Sequence, residues 1–369
     1  MLKLARPYIY PKGIRDAVNV FKSGNLVQGK FVHEFEEGLK NYLGIKHAIL
    51  LSSGTAALHL SLMAFDIKKG DEIIIPAFTY PAPANVVEIS GAKPVFVDIS
   101  PEDFCIDVSK IEEKITDRTK AIIVVHEFGQ AAEISKIIKI ADKHNLIVIE
   151  DAACALGTEF KGKKAGTFGN LGCFSFHPRK IITTGEGGVV ASNNDELAAR
   201  IRSLRNHGIA KKNSQYDFLL PGLNYRMTDF QAALGLSQLE KIEEITKRRI
   251  DIARFYDREL SSVEWITTPK RFPDREMVYQ TYHILLDDKI DRDKLIMTLK
   301  KHGIETNLGA QALQCLTFYK KKYGFEEESF PNALRSYRSG LALPIYPQLT
   351  HKQLKRIVGS LQRSLDEFC

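Results

Sequence analysis

CFSFHPRKIITTGEGG, residues 173–188, is the most informative segment of this chain. It starts with the apolar residues of a buried strand, turns at Pro178 and ends in a glycine cluster. Lys180 follows the turn, and the Ser175 hydroxyl precedes it. An amine held between a hydroxyl and flexible backbone suits a Schiff base with pyridoxal phosphate, which supplies an electron sink. The alternative is that Lys180 is a surface lysine in an ordinary turn. Other segments of the sequence distinguish between these two interpretations.

The length and composition are those of a globular enzyme. The 369 residues suffice for one large and one smaller domain, and the hydrophobic (44%) and charged (26%) fractions argue against disorder. The longest apolar runs, such as residues 121–125, fall far short of the roughly 20 residues that span a bilayer. The first residues, MLKLARPY, lack the apolar core of a secretory signal. We therefore expect a cytoplasmic protein without a membrane span.

The cysteines and the net charge indicate which ligands the protein can bind. The five cysteines are widely spaced and form no CxxC pair, so we predict neither a disulfide framework nor a metal site. A net charge of +7 can attract nucleic acid or an anionic small molecule, such as a phosphorylated cofactor. The basic runs at 247–249 and 320–322 lack aromatic interleaving and any nucleic-acid motif. We interpret them as solvated faces and predict no nucleic-acid binding.

From residue 45 onward, short β-branched runs alternate with helical patterns, which is typical of a largely parallel sheet. The apolarity of these runs is continuous and not alternating, so we expect both faces of the sheet to be buried. Helical patterns at 57–64 and 134–141 would cover it and give a three-layer α/β/α domain. The predicted strands are 48–51, 72–75, 94–97, 121–125, 146–149, 172–176 and 188–191.

The regions before and after this alternating pattern are predicted to form other structures. Before residue 45 the sequence predicts an arm and a helix near 31–42, and residues 228–260 form one long helical pattern that bridges two domains. Beyond it, a strand at 282–286, a helix at 292–302 and a final helix at 352–368 predict a small unit. We divide the chain into an N-terminal arm and large domain, 1–240, and a small C-terminal domain, 241–369.

The strand ends carry the candidate functional groups, because open α/β sheets bind ligands beyond the carboxyl ends of their strands. Residues 52–58, SSGTAAL, form a small-residue turn whose helical N–H groups can hold a phosphate or serve as an ordinary N-cap. In IEDAAC, residues 149–154, one carboxylate should face the site. Asp151 can hold a pyridine nitrogen or cap a helix. Tyr80 can stack on a flat ring or pack in the core.

The glycine pattern argues against a nicotinamide enzyme. The glycines at 185–188 do not match GxGxxG, and GTFG at 166–169 lacks the preceding strand and the later acidic residue.

These segments together resemble the DegT/DnrJ/EryC1/StrS family of aminotransferases, which act mainly on keto-sugars attached to nucleotides. The resemblance runs from about residue 24 to 354 and rests on SGTAAL (53–58), PAFTY (76–80), EDAA (150–153), FSFHPRK (174–180), GEGG (185–188) and GLNYRM (222–227). It implies a fold-type I aminotransferase: a large α/β/α domain with a mostly parallel seven-stranded sheet, and a smaller C-terminal α+β domain. It also implies a homodimer with active sites at the subunit interface.

The resemblance assigns roles residue by residue. Lys180 would carry the pyridoxal 5'-phosphate as a Schiff base and act as the catalytic residue. Asp151 would hold the pyridine nitrogen, and Tyr80 would stack on the ring. The phosphate would be held by Gly54, Thr55, Ser175 and, from the neighbouring subunit, Asn224.

Two positions depart from the family pattern. Where Cys154 stands, relatives often have glutamine or histidine in contact with the cofactor ring or its phenolic oxygen, and a thiol is a weaker partner. In residues 307–314, NLGAQALQ, glutamines replace the tyrosine and histidine of many relatives, so Gln311 is a candidate substrate contact. His177 is a second candidate, or a structural histidine.

The predicted reaction is a two-stage transamination. L-Glutamate would donate the amino group, and a keto-sugar, most simply a nucleotide-linked 4-keto hexose, would receive it. A 3-keto sugar or a keto-inositol are alternatives. Related dehydratases have histidine where this chain has Lys180, which disfavours dehydration, and a complete cofactor set disfavours a non-enzymatic DNA-binding regulator.

Overall fold

The structure, a computed structural model, describes residues 1–212 and 215–367. Its strands are β1 (His47–Leu51), β2 (Glu72–Pro76), β3 (Phe78–Thr79), β4 (Lys93–Val97), β5 (Thr119–Val125), β6 (Ile147–Asp151), β7 (Glu159–Phe160), β8 (Lys163–Lys164), β9 (Leu171–Ser175), β10 (Gly188–Ser192), β11 (Ile209–Lys212), β12 (Gln215–Phe218), β13 (Ile266–Thr267), β14 (Arg275–Glu276), β15 (Tyr282–Leu286), β16 (Gln311–Ala312) and β17 (Gly340–Leu343).

The α-helices are α1 (Pro11–Ser23), α2 (Lys30–Leu43), α3 (Gly54–Ala64), α4 (Ala82–Ile89), α5 (Ile134–Lys143), α6 (Asp195–Arg205), α7 (Asp229–Leu239), α8 (Ile242–Leu260), α9 (Arg292–Lys301), α10 (Thr317–Tyr323), α11 (Pro331–Ser339) and α12 (His351–Asp366). Short 3-10 turns cover Val108–Lys110, Glu112–Lys114, Glu127–Gly129, Leu313–Cys315 and Glu327–Ser329. None of the described helices is both long and apolar enough to cross a bilayer.

Seven strands form the central sheet, in the order β1-β10-β9-β6-β5-β2-β4. Only β10 runs antiparallel to its neighbours, β1 and β9. The predicted α/β fold with a mostly parallel seven-stranded sheet is therefore confirmed. Each predicted strand is present, with ends that move by at most two residues.

Helices cover both faces of this sheet, and β1 shows why. Its residues alternate between two apolar clusters: Ile49 and Leu51 pack in the cluster that contains α3, whereas Ala48 and Leu50 pack in the cluster that contains Phe35 of α2. A strand with an apolar layer on each side needs a continuous apolar sequence. This is the physical basis of the pattern that predicted the sheet.

Two helical regions differ from the sequence-based expectation. The predicted arm contains α1, which starts at Pro11, ends at Ser23 and is followed by Gly24 with a left-handed φ of +73°. The single long helix predicted over 228–260 is two helices that break near Lys241, where φ is −118°. The break lets α7 pack against α1 and α2 while α8 packs against α12.

The C-terminal part contains an antiparallel sheet, β13-β15-β17, against which α11 packs. The break near Lys241 falls where we divide the chain into domains, and that division stays a prediction. The first residues lie against this C-terminal part, because the Leu2 amide donates to the Gly303 carbonyl at 2.7 Å and the Glu305 amide donates to the Leu2 carbonyl at 2.9 Å.

Candidate active site at the carboxyl edge of the sheet

The carboxyl ends of β1, β9 and β6 and the start of β10 meet at one edge of the sheet. Leu51, at the end of β1, pairs with Gly188, which in turn pairs with Ser175 at the end of β9. On the other side of β9, Cys173 pairs with Asp151, the last residue of β6. The segments singled out from the sequence thus converge in space, as expected for an α/β sheet.

Lys180 lies in the loop that joins β9 to β10. Its amide donates to the His177 carbonyl at 2.8 Å, which closes a turn around Pro178. Two hydrogen bonds join the two sides of the loop: the Thr183 hydroxyl and the Thr184 amide both donate to the Phe176 carbonyl, at 2.8 and 3.0 Å. These bonds make the loop compact.

Two glutamines fix this loop from the outside. Gln238 of α7 accepts from the Thr183 amide at 3.1 Å and donates to the Thr183 carbonyl at 2.6 Å. Gln280 donates to the Arg179 carbonyl at 2.8 Å. The backbone on each side of Lys180 is therefore held by a separate element.

The Lys180 amine is surrounded by polar groups. Nζ donates to the Sγ atom of Cys154 at 3.0 Å. Burial alone would lower the pKa of Lys180, but its hydrogen bond to Cys154 and the carboxylates of Asp151 and Glu127 raise it above its usual value. Burial raises the pKa of the Cys154 thiol, so this partner stays neutral near pH 7.

Of the two carboxylates in IEDAAC, Asp151 is the one on which the charge of Lys180 acts. Its side chain is buried, and Oδ1 accepts from the Ala153 amide at 3.0 Å. Burial raises its pKa, while the Ala153 amide and the charge of Lys180 act in the opposite direction. A cationic group placed against this carboxylate would favour its charged form.

Glu150 points to the other side of the strand, where its carboxylate is fully used. Oε2 lies 2.8 Å from Nε2 of His126 and accepts from the Gly166 amide at 2.8 Å, while Oε1 accepts from the Phe168 and Gly169 amides at 2.6 and 2.7 Å. Although burial opposes ionisation, these bonds hold the pKa of Glu150 below its usual value. Glu150 is thus a structural residue and leaves Asp151 for the site.

The start of α3 and the end of β9 form a close-fitting cradle. A Cβ atom added to Gly54 would lie 2.8 Å from Cβ of Ser175 and 3.2 Å from its hydroxyl oxygen, so only glycine fits there. The helix is capped by Ser53, whose Oγ accepts from the Ala56 amide at 3.0 Å. The first N–H groups of a helix have no partner within it, so those near Gly54 and Thr55 can hold an anion beside the Ser175 hydroxyl.

Tyr80 and Gln311 approach the site from one short sheet. Gln311 of β16 pairs with Thr79 of β3, directly before Tyr80. Tyr80 is 72% exposed, so its side chain is accessible for stacking on a ligand. The structure thereby brings the candidate substrate contact next to the candidate stacking residue.

His177 and Asn224 are less closely tied to the site. Nδ1 of His177 accepts from the Arg179 amide at 3.3 Å, and partial burial lowers its pKa, an effect that Glu186 opposes and that Lys180 and Arg179 reinforce. Asn224 is exposed on a segment that bridges to Asn206. An exposed position is compatible with the predicted reach into a neighbouring subunit, which stays a prediction.

Sequence reasoning missed Glu127. This residue comes two positions after the end of β5 and is buried, and the charges of Lys180 and Asp151 act on it. The strand-end argument that selected Asp151 applies equally here, because residues 121–125 were predicted as a strand.

Together these residues fit pyridoxal phosphate. Lys180 offers the amine, Asp151 a buried carboxylate for a ring nitrogen, and the cradle at Gly54 and Ser175 an anion site that a Cβ atom would fill.

Comparison with known proteins agrees with this geometry. The model of the DegT/DnrJ/EryC1/StrS aminotransferase family matches residues 8–362. The GDP-perosamine synthase of Caulobacter vibrioides is 40% identical over 340 residues, which are 91% of each chain. The UDP-4-amino-4-deoxy-L-arabinose–oxoglutarate aminotransferase of Shewanella sediminis is 35% identical over 379 residues, covering 98% of this chain and 97% of that protein.

Solved structures agree as well. The putative sugar aminotransferase Spr1654 from Streptococcus pneumoniae, in its PMP form, superposes with a TM-score of 0.95 at 28% identity and full coverage of both chains. The same protein has been solved in a PLP form, with a TM-score of 0.94.

Proposed function

Because the chain belongs to the DegT/DnrJ/EryC1/StrS aminotransferase family and is a pyridoxal phosphate-dependent sugar aminotransferase, we propose that it aminates C4 of a nucleotide-linked 4-keto hexose with L-glutamate as donor. The observation that carries this proposal is the Lys180 amine, held in a braced loop beside Asp151 and the phosphate cradle. The cytoplasmic location expected from the sequence is part of the same proposal.

The residues of the chain divide the work of the reaction. Pyridoxal phosphate, when bound, supplies the electron sink. Asp151 would hold its ring nitrogen by a charge-assisted hydrogen bond, and Gly54, Thr55 and Ser175 would hold its phosphate. Lys180 moves a proton at Nζ, and its amine has to be neutral to accept one.

The position of amination is supported by the relatives. The name of the Shewanella protein places nitrogen at C4 of its sugar and pairs it with oxoglutarate, the keto acid that glutamate leaves after donating its amine. The exposed Tyr80 and the neighbouring Gln311 lie where a large substrate can reach them. A homodimer in which Asn224 completes the phosphate site of its partner is part of the proposal.

A substrate panel tests this function. Holoenzyme, L-glutamate and a set of nucleotide-linked 4-keto and 3-keto sugars, with a keto-inositol, are incubated and the products analysed by mass. We expect an aminated product from a 4-keto sugar and none with Lys180→Ala. Amination only of a 3-keto sugar or keto-inositol would overturn the C4 assignment, and loss of hydroxyl without gain of nitrogen would indicate dehydration.

The donor is tested separately. With the accepted sugar fixed, L-glutamate is compared with L-aspartate and L-alanine. We expect L-glutamate to give the highest kcat/KM, and a clear preference for another amino acid would overturn that part of the proposal.

A further inference from the structure

Glu127 is a buried carboxyl group with an unused oxygen atom. Only 5% of the residue is exposed, and Oε2 has no hydrogen-bond partner among the residues that the structure describes. Buried polar atoms are nearly always paired, so an unpaired carboxyl oxygen inside an active site calls for a function.

The backbone around Glu127 is held in a conformation that ordinary sequences avoid. Phe128 has a left-handed φ of +58°, and Gly129 follows at +91°. The segment keeps this shape because its neighbours fix it. Nδ1 of the preceding residue, His126, accepts from the Ala132 amide at 3.1 Å, and the Phe128 ring stacks on His283 with centroids 4.3 Å apart.

Groups from several elements face the Glu127 carboxyl. The Thr79 side chain and the Phe128 amide hydrogen-bond to it, and the charges of Lys180 and Asp151 act on it. The nearby thiols of Cys105 and Cys154 stay neutral, because burial raises the pKa of both. Of the charged groups that act on the Glu127 carboxyl, Lys180 is a cation and Asp151 is a second carboxylate.

We propose that Glu127 is a positioning residue for Lys180: its ionised carboxylate stabilises the protonated lysine amine and so sets how readily Nζ gives up its proton. The inference rests on the proposed role of Lys180 as the group that moves the proton. The stabilisation acts through space, because Nζ donates to Cys154 and Oε2 of Glu127 has no hydrogen-bond partner among the described residues.

The other groups near the amine are less suited to this task. Asp151 is expected to be engaged with the ring nitrogen. Cys154 accepts from Lys180 as a neutral thiol, which is a weak acceptor and a poor base. Among the described residues named here, Glu127 is the carboxyl group with a free acceptor atom, and burial raises its pKa to about 7, so its charge changes near neutral pH.

The test is a pH titration of the absorbance of the holoenzyme, which reports whether the lysine nitrogen carries a proton. An ionised carboxylate stabilises a protonated nitrogen, so in Glu127→Gln we expect the midpoint to fall by about one pH unit. Glu186→Gln removes an exposed carboxylate near His177 and serves as the matched control, because solvent screens its charge. We expect no shift in this control.

The rate profile gives a second measurement. We expect Glu127→Gln to lose the acidic limb of the kcat/KM profile and roughly 10- to 100-fold in rate at pH 7.5, and Glu127→Asp to recover part of both. A purely structural role would not restore a pH limb with the conservative variant.

The outcomes separate this inference from the assignment of Lys180. If Lys180→Ala retains the wild-type absorbance titration, the lysine assignment fails. If the wild type titrates and Glu127→Gln has the same midpoint, the role of Glu127 is overturned. Should Glu127→Gln not fold, Glu127→Asp carries the test: its shorter reach should lower the midpoint, and an unchanged midpoint counts against the proposal.

Discussion

The Nζ atom of Lys180 and the Sγ atom of Cys154 lie 3.0 Å apart, so a thiol is the direct hydrogen-bond partner of the amine. Both residues belong to segments predicted to form the site. A thiol holds an amine weakly, so the position of Lys180 depends mainly on its loop and on the nearby carboxylates.

We expect Cys154→Ala to lower kcat/KM by less than about tenfold, because a hydrogen bond of this kind contributes about 1 kcal/mol. The absorbance of the bound cofactor should keep its wild-type maximum. Steady-state kinetics and a spectrum measure both, and a hundredfold loss of activity would mean that the thiol has a larger role.

Lys180→Ala should remove the absorbance of covalently held cofactor and lower turnover at least about a thousandfold. Lys139→Ala, an exposed change on α5, is the control and should leave both unchanged. Activity retained by Lys180→Ala would show that another amine does the work.

Gly54→Ala should weaken cofactor binding by roughly ten- to a hundredfold, because the new Cβ would press on the Ser175 side chain at 2.8 Å. Gly359→Ala is the matched control: it lies within α12, where the new Cβ would be 3.5 Å from Nη1 of Arg363, an ordinary contact distance. Equilibrium titration with pyridoxal phosphate compares the two. Equal affinities would show that the cradle does not hold the phosphate.

Asn224 can be tested by mixing subunits. If it acts in the neighbouring subunit, co-expressed Lys180→Ala and Asn224→Ala chains form dimers with one intact site, and activity should recover to a fraction of the wild-type level. Each variant alone should remain defective. Absence of recovery in purified mixed dimers would place Asn224 in its own subunit's site or outside it.

Glu127 should make stability depend on pH. Its pKa of about 7 in the fold lies above its ordinary value of 4.5, so its contribution to stability is complete below pH 4.5 and is lost as the pH rises through 7. Relative to the wild type, Glu127→Gln should therefore gain up to about 3 kcal/mol in free energy of unfolding between pH 4.5 and 8. Urea unfolding of the cofactor-free protein measures this. Parallel curves for the two proteins would show that the carboxyl is not buried in its charged form.

The sequence was sufficient for the central sheet because strands buried on both faces need continuous apolar runs, which are local and easy to recognise. It was insufficient for the helix break near Lys241, since α7 and α8 pack against different partners and only the tertiary structure decides that. The helix α1 was missed although Pro11 and Gly24 are ordinary signals for its ends.

The candidate site likewise combines features that the sequence predicted with features that only the tertiary structure shows. The strand ends pointed to Asp151, Ser175 and Lys180 as candidates because their chemistry is visible in short motifs, and the structure places these residues at one edge of the sheet. The pairing of Gln311 with Thr79 joins residues far apart in the chain, so its geometry could not follow from either segment alone. Likewise, IEDAAC left open which carboxylate faces the site, and the bonds that occupy Glu150 answer this.

The bracing of Lys180 by Gln238 has a consequence for protein engineering. Gln238, which holds the loop, belongs to α7. Residues 307–314 include β16, which pairs with β3 and does not contact Gln238 through these hydrogen bonds. Libraries that vary this segment around Gln311, the candidate substrate contact, should therefore leave the supports of the Lys180 amine intact. New acceptor specificities can be sought in this scaffold without rebuilding its chemistry.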